Sequence, residues 1–407
     1  MQPLCTLLLL LAGSVGVNAQ DATVVGNIID GIFFTNTTTP AAEMASGQIM
    51  MEVEPVQGPP IEPLSDECPC NPSNIWLDIF FVIDSSSAMT SSGFDCAMAF
   101  VESALYRMTV GQAMGQQSRV GFITYGTDAQ MHHNLTYWQS TNDLLNNLDL
   151  RYHGSVGTNI EAAIRLATAN FDSDNHRPNA RKVIVILASA FETGNYNDPT
   201  VAAATFKEDG GIIITVEYIQ VHGAPVMMLD TLASPGYTLT NRFNKVDVRQ
   251  LHQLFCKANC FCPIYYKEFT TQNDVPYGGC YRKSTLPAIY SLAQRSCNRH
   301  YDGVIATVRT REKMEFLTQL MRSKVPFWTG LKFTNDAYQW NNEGPLQDND
   351  FTQWATNYPD STQGNCVKMA YSEADQTTQW YSEFCTKDLL YICQIVACST
   401  GHYCPVI

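Results

Sequence analysis

Ile75-Trp76-Leu77-Asp78-Ile79-Phe80-Phe81-Val82-Ile83-Asp84 is a nearly unbroken apolar run that closes on an acid. A strand exposed on one side would alternate polar with apolar residues. This run has no polar face, as expected of a strand covered on both sides in a parallel sheet. A helix is expected next, because Phe94, Ala97, Met98, Val101, Ala104, Leu105 and Met108 recur at helical steps and form one apolar stripe. Toward the C-terminus the alternation continues with strand 120–125, helix 160–171, strand 183–187, helix 201–206, strand 212–218 and a closing helix at 248–254. Strand and helix in turn predict a doubly wound α/β sheet over 75–260.

Past Cys256 the texture shifts to cysteine, tryptophan and short segments, so a domain boundary is expected near 260–262. The 407 residues, 45% of them hydrophobic, suffice for two domains of ordinary size. Residues 20–74 mix Thr, Pro, Gly and acidic residues without sustained periodicity and read as a linker. Residues 1–19 carry an apolar run and end in Val17-Asn18-Ala19, the pattern of a cleaved export signal. No later run approaches the length needed to cross a bilayer, so membrane insertion is not expected. The net charge is −14, and twelve acidic residues precede Arg107, the first basic residue. Nucleic acid is a poor partner for such a chain. The eight histidines, His132 and His133 included, show no catalytic or metal spacing, and no nucleophile elbow or phosphate loop is present, so no enzyme is expected. The pair His132 and His133 reads as a solvated strand end.

Ligands of open α/β sheets bind outside the carboxyl ends of the strands, and the first strand here ends in Asp84-Ser85-Ser86-Ser87-Ala88. This stretch resembles the von Willebrand factor A family, whose fold is Rossmann-like. In that family a strand-end Asp-x-Ser-x-Ser, a Thr from a second loop and an Asp from a third hold a divalent cation. Asp84 and Ser86 match, and Gly157-Thr158-Asn159 offers Thr158 ahead of a helix. Ala88 stands at the second serine position, and Ala188-Ser189-Ala190 stands where the family has Thr-Asp-Gly. One carboxylate remains. Because Mg²⁺ dehydrates reluctantly and relies on carboxylates, the resemblance implies weak Mg or Ca binding and no firmly held cofactor. Asp84 and Thr158 each have a second reading, as N-terminal caps of the helices that follow.

Cys262-Pro263, Cys280-Tyr281, Cys297, Phe327-Trp328-Thr329-Gly330-Leu331, Asn365-Cys366-Val367, Phe384-Cys385 and Tyr391-Ile392-Cys393 follow in order. Together they resemble the long form of the C-type lectin-like domain, an α+β fold, over 262–394. The resemblance implies the pairs Cys262 with Cys280, Cys297 with Cys393, and Cys366 with Cys385, in a domain whose long irregular loops need them. Sugar-binding members hold Ca²⁺ through a Glu-Pro-Asn or Gln-Pro-Asp and a later Trp-Asn-Asp. Here Tyr358-Pro359-Asp360 and Trp380-Tyr381-Ser382 stand at those places, so calcium-mediated sugar binding is not expected. Tyr358, Pro359, Asp360 and Tyr381 become candidate ligand contacts, because aromatic side chains stack on sugars and anchor protein partners. Trp328, Trp354 and Trp380 read as core.

Fourteen cysteines suit an oxidising compartment. Cys398 and Cys404 can close a small loop in the tail 395–407. Cys68 and Cys70 precede the first strand, and Cys256 and Cys260 follow the last helix of the first domain. Two cross-links there would clamp its ends. On a helical wheel Cys96 lies opposite the apolar stripe, which makes it a candidate for an interchain disulfide and a disulfide-linked dimer; pairing with one of those four cysteines is the other reading. Asn36 and Asn134 head glycosylation triplets, in keeping with secretion. An A-like domain ahead of a lectin-like domain, with Cys68-Pro69-Cys70 before the first strand, is similar to secreted C-type lectin-like families of nematodes, often linked to innate defence. That resemblance implies an extracellular recognition protein with protein or glycan partners. A matrix or mucosal scaffold binding proteins alone, and a calcium-dependent lectin, are the competing readings.

Overall fold

The computed structural model describes residues 68–189, 196–218, 229–241, 246–269, 278–322 and 324–405. The leader expected at 1–19, the linker up to residue 67 and Asn36 lie outside the described residues.

In the first half, β1 (Asp78–Asp84) leads to α1 (Thr90–Leu105), β2 (Arg119–Tyr125), β3 (Ala129–His133), α2 (Thr141–Asn147) and α3 (Ile160–Phe171). Then come β4 (Lys182–Ala188), α4 (Pro199–Glu208), β5 (Ile212–Glu217), α5 (Leu229–Leu232), β6 (Thr238–Thr240) and α6 (Val248–Ala258). The six strands order as β3-β2-β1-β4-β5-β6, with β1 parallel to both neighbours. That central place explains the missing polar face. Ile79, Phe81 and Ile83 join one core with α1 and α6, while Phe80 and Val82 join a second core with α3 and α4. Alternate residues of one strand thus serve two apolar layers. The alternation alone did not predict β3, which turns back antiparallel on β2 after a short turn at Gly126.

The second half begins with β7 (Lys267–Glu268), β8 (Cys280–Lys283), α7 (Tyr290–Asn298), β9 (Val304–Ile305), α8 (Arg311–Met321) and β10 (Phe327–Thr334). It ends with β11 (Ala337–Trp340), β12 (Gly344–Pro345), β13 (Cys366–Ser372), β14 (Thr377–Glu383) and β15 (Leu390–Ile395). β15 lies parallel to β10 and antiparallel to β8 and β9, and so ties the domain's end to its beginning. Trp328 and Trp380 are fully buried, and Trp354 packs partly buried against the same core as Trp380.

Six disulfides are described. Cys262 bonds Cys280, Cys297 bonds Cys393, Cys366 bonds Cys385 and Cys398 bonds Cys404. Cys68 bonds Cys260 and Cys70 bonds Cys256, closing the ends of the first domain. Cys96 is also disulfide-bonded, and none of the described cysteines is free. The helical wheel puts Cys96 on the open side of α1, yet it is only 7% exposed, because the buried face of α1 widens to take in Gly93 and Cys96 as well as the stripe. A dimer through Cys96 draws no support from this arrangement. No helix among the described residues is long and apolar enough to cross a membrane.

Candidate functional site

Three loops meet at the carboxyl end of β1. Asp84 is fully buried there. Its Oδ1 accepts the Ser86 N–H at 2.8 Å, and its Oδ2 accepts the Ser189 N–H at 3.1 Å and the Ser189 hydroxyl at 2.7 Å. From sequence alone Ser189 is only the place of a missing acid. Its position directly after β4 was the signal that it faces Asp84. Ser86 bridges to Ser155, and the Ser85 hydroxyl accepts the His153 N–H at 2.8 Å, so the second loop is stitched to the first. Gly157, with φ +97°, lets that loop turn beneath the ring of Tyr196, where a side chain would collide. Thr158 follows, nearly buried.

Neither candidate cap is used as one. α1 has Met89 at its N-cap with no side-chain cap bond, because the turn 85–89 separates Asp84 from the helix. α3 is capped by Asn159, whose side chain accepts the Ala162 N–H at 3.1 Å, one residue beyond Thr158. Ser86 Oγ and the Tyr125 hydroxyl are buried without a hydrogen-bond partner among the described residues. Burial, with the Asp84 charge beside it, pushes the Tyr125 phenol well above its ordinary pKa, so it stays neutral.

An ion here would meet one carboxylate whose two oxygens already accept protein hydrogen bonds, plus the hydroxyls of Ser86 and Thr158. Ca²⁺ takes six to eight oxygens and Mg²⁺ demands near-octahedral geometry. The donor set does not fit a firmly held ion, although the Ser86 hydroxyl, partnerless among the described residues, is an oxygen that an ion would satisfy. Among the described residues no group of three or more His, Cys, Asp or Glu is arranged to hold a metal. His132 and His133 are less solvated than their strand-end reading. His132 Nε2 lies 2.8 Å from Thr124 Oγ1, and burial followed by the neighbouring His153 lowers its pKa. His133 packs against Trp138 at 4.6 Å between ring centroids.

On the lectin-like half, Tyr358 and Tyr381 meet edge to face with centroids 5.1 Å apart. Both are partly exposed, and Pro359 is exposed beside them. Lys368 Nζ sits 5.9 Å from the Tyr381 ring centroid while pairing with Glu383 at 2.7 Å. Asp360 turns inward to its own chain. Its Oδ1 accepts the Thr362 N–H at 2.9 Å and the Thr362 hydroxyl at 2.8 Å, and these bonds hold its pKa below the ordinary carboxylate range. Its own N–H donates to Ser382 Oγ at 3.0 Å. The four candidate contacts therefore share one surface, but the carboxylate is engaged in capping the turn Ser361–Gln363. Asn134 follows β3, and its Oδ1 accepts the Thr136 N–H and hydroxyl, both at 3.1 Å.

The von Willebrand factor type A domain family matches residues 78–268, and the Lectin C-type domain family matches residues 287–395. C-type lectin domain-containing protein 160 of Caenorhabditis elegans is 26% identical over 384 residues, which cover 86% of this chain and 58% of that protein. E-selectin of Bos taurus is 24% identical over 148 residues, 36% of this chain and 29% of that protein. The chain thus spans little more than half the length of the nematode relative and less than a third of the selectin. Among solved structures, proximal thread matrix protein 1 from the mussel byssus is similar at 18% identity and a TM-score of 0.40, over 46% of this chain and 49% of that one. The chain contains a von Willebrand factor A domain followed by a C-type lectin domain.

Proposed function

We propose that this chain is a secreted recognition or adhesion protein, serving in innate defence, whose lectin domain meets protein or glycan ligands through Tyr358, Pro359, Asp360 and Tyr381 without a firmly bound ion. The observation that carries this reading is the pairing of Tyr358 with Tyr381 on a partly exposed face, next to an Asp360 one of whose carboxylate oxygens is already taken by Thr362. An aromatic face of this kind offers stacking area to a sugar or an anchor to a protein partner. Both domain types are typically non-enzymatic, and the described residues show no catalytic constellation. The paired cysteines favour an oxidising extracellular setting. Asn134, in a surface turn, is the proposed glycosylation acceptor.

A glycan array probed with calcium and with chelator tests the reading, using the wild-type chain and Tyr358→Ala/Tyr381→Ala. Signal that survives chelator and falls in the double variant supports it. Signal that requires calcium overturns it. Silence on every glycan selects protein ligands and the scaffold reading. Weak Mg²⁺ or Ca²⁺ binding at Asp84, Ser86 and Thr158 is a second reading, favoured by the partnerless Ser86 hydroxyl alone.

A further inference from the structure

Domains joined in one chain move relative to one another unless their interface is large and apolar or otherwise cross-linked. Three separate pieces of this chain meet where the first domain gives way to the second. One is the lead into β1, residues 68–77; another is the connection 259–262; the third is the C-terminal loop 396–405, which leaves β15 in the lectin domain. Phe261 and Cys398 pair as an antiparallel bridge, exchanging N–H to carbonyl bonds of 3.1 and 2.9 Å. The loop then continues past its own domain onto the first one. Trp76, fully buried, donates its indole N–H to the Ser399 carbonyl at 3.1 Å and packs edge-on against Tyr403 at 4.8 Å.

Thr400 is bound on every side. Its hydroxyl accepts the Asn71 N–H at 3.0 Å and donates to the Pro69 carbonyl, while its own carbonyl accepts Asn74 Nδ2 at 3.2 Å and Gln116 Nε2 at 2.7 Å. Asn179, on the loop between α3 and β4, donates to the Tyr403 hydroxyl at 3.1 Å and to the Cys404 carbonyl at 3.0 Å. Trp76, Ala180, Phe261, Cys398 and Cys404 form a buried apolar cluster of their own, separate from the cores of both domains. The Cys398–Cys404 disulfide holds this loop in the shape that reaches all of these groups.

We infer that the C-terminal loop 396–405 is an interdomain lock: it carries no part of either candidate ligand face and serves to hold the two domains as one rigid body. A partner that touches both domains then meets them at one fixed spacing, and its second contact is effectively intramolecular. Gly401 is the point at which the lock can be wedged open. A β-carbon there would lie 2.5 Å from Pro69 Cγ, and Pro69 belongs to the first domain's lead.

Hydrogen exchange and small-angle scattering on the full chain test the lock. In the wild type the amides of Asn71, Phe261 and Cys398 are expected to be protected together. Gly401→Val, and separately Asn179→Ala, are expected to speed exchange at all three by about tenfold or more, the effect of losing one or two buried hydrogen bonds. The radius of gyration should rise, with amides inside β1 and β10 unaffected. Wild-type amides at these positions exchanging at free-peptide rates would overturn the inference even if a variant failed to fold. So would variants that leave all three amides and the scattering unchanged.

Discussion

The two ends of β1 each bury an aspartate, and they are held by different chemistry. Asp78, at the amino end, faces a guanidinium and an imidazole: Arg177 Nη2 lies 2.6 Å from Oδ1, and His176 Nδ1 lies 2.8 Å from Oδ2. Asp84, at the carboxyl end, is held by the neutral donors Ser86 and Ser189. Arg177 also donates to the Gln117 and Leu77 carbonyls, while Arg119 Nε, buried beside Asp78, has no partner among the described residues. The Asp84 end leaves the Ser86 and Tyr125 hydroxyls without partners among the described residues. A carboxylate matched by a cation is structural by construction. Asp84 is held by neutral dipoles beside partnerless hydroxyls, at the end of the sheet outside which ligands of open α/β sheets bind.

Removing each aspartate is the strongest way to break this comparison. Asp78→Ala leaves Arg177 buried without its partner and should lower the unfolding free energy by about 3–5 kcal/mol. Asp84→Ala strands only neutral donors and should cost about 1–3 kcal/mol. Denaturant unfolding of both variants measures the two costs, and equal costs or the reverse order would abolish the distinction.

Acid should act at one end of the strand through a definite mechanism. Burial alone would raise the Asp78 pKa, but the bonds from His176 and the charge and bonds of Arg177 outweigh it and hold the carboxyl below its ordinary value. A depressed carboxylate contributes its stability fully above the unfolded value, about 4, and loses it as pH falls through the folded value. Unfolding free energy followed from neutral pH down to about 3 should therefore fall in the wild type, and less steeply in Asp78→Asn. Identical acid limbs would show that Asp78 is not the group responsible.

The lectin domain offers a third aspartate, Asp360, spent on capping a turn beside an aromatic pair. Tyr358→Ala and Tyr381→Ala should each weaken ligand binding by about tenfold while changing stability by less than about 1 kcal/mol, as expected of partly exposed contacts. Titration against whichever ligand the array identifies reads the first effect and thermal unfolding the second. A large stability loss with unchanged affinity would return both tyrosines to a packing role. The smallest effect is expected back at Asp84. Ser86→Ala removes a buried hydroxyl that has no partner among the described residues, so stability should stay within about 1 kcal/mol of the wild type. Millimolar Mg²⁺ should stabilise either protein by no more than about 0.5 kcal/mol, the gain from a ligand at or below its dissociation constant. A larger gain in the wild type alone, seen by calorimetry, would restore Ser86 as an ion ligand.

Much of the fold was legible because strong patterns have few solutions. A strand with a nearly unbroken apolar run at 75–84 has to lie between two apolar layers, and the helical stripe at 94–108 has to cover one of them. The residue types at 84–88, 188–190, 358–360 and 380–382 likewise depart in plain view from the ion motifs of the two families they resemble. Three-dimensional placement decided the rest. Whether Asp84 caps a helix or turns into the loop cluster depends on Ser189, 105 residues away. The exposure of Cys96 depends on what covers α1 beyond its own stripe. The C-terminal loop reads as a tail because neither periodicity nor motif spans the 323 residues between Trp76 and Ser399, or the 329 between Asn71 and Thr400. Local sequence sets the apolar pattern of each segment. Which polar groups satisfy one another across the chain is set by tertiary packing, since a buried donor takes whatever acceptor the folded chain brings within reach.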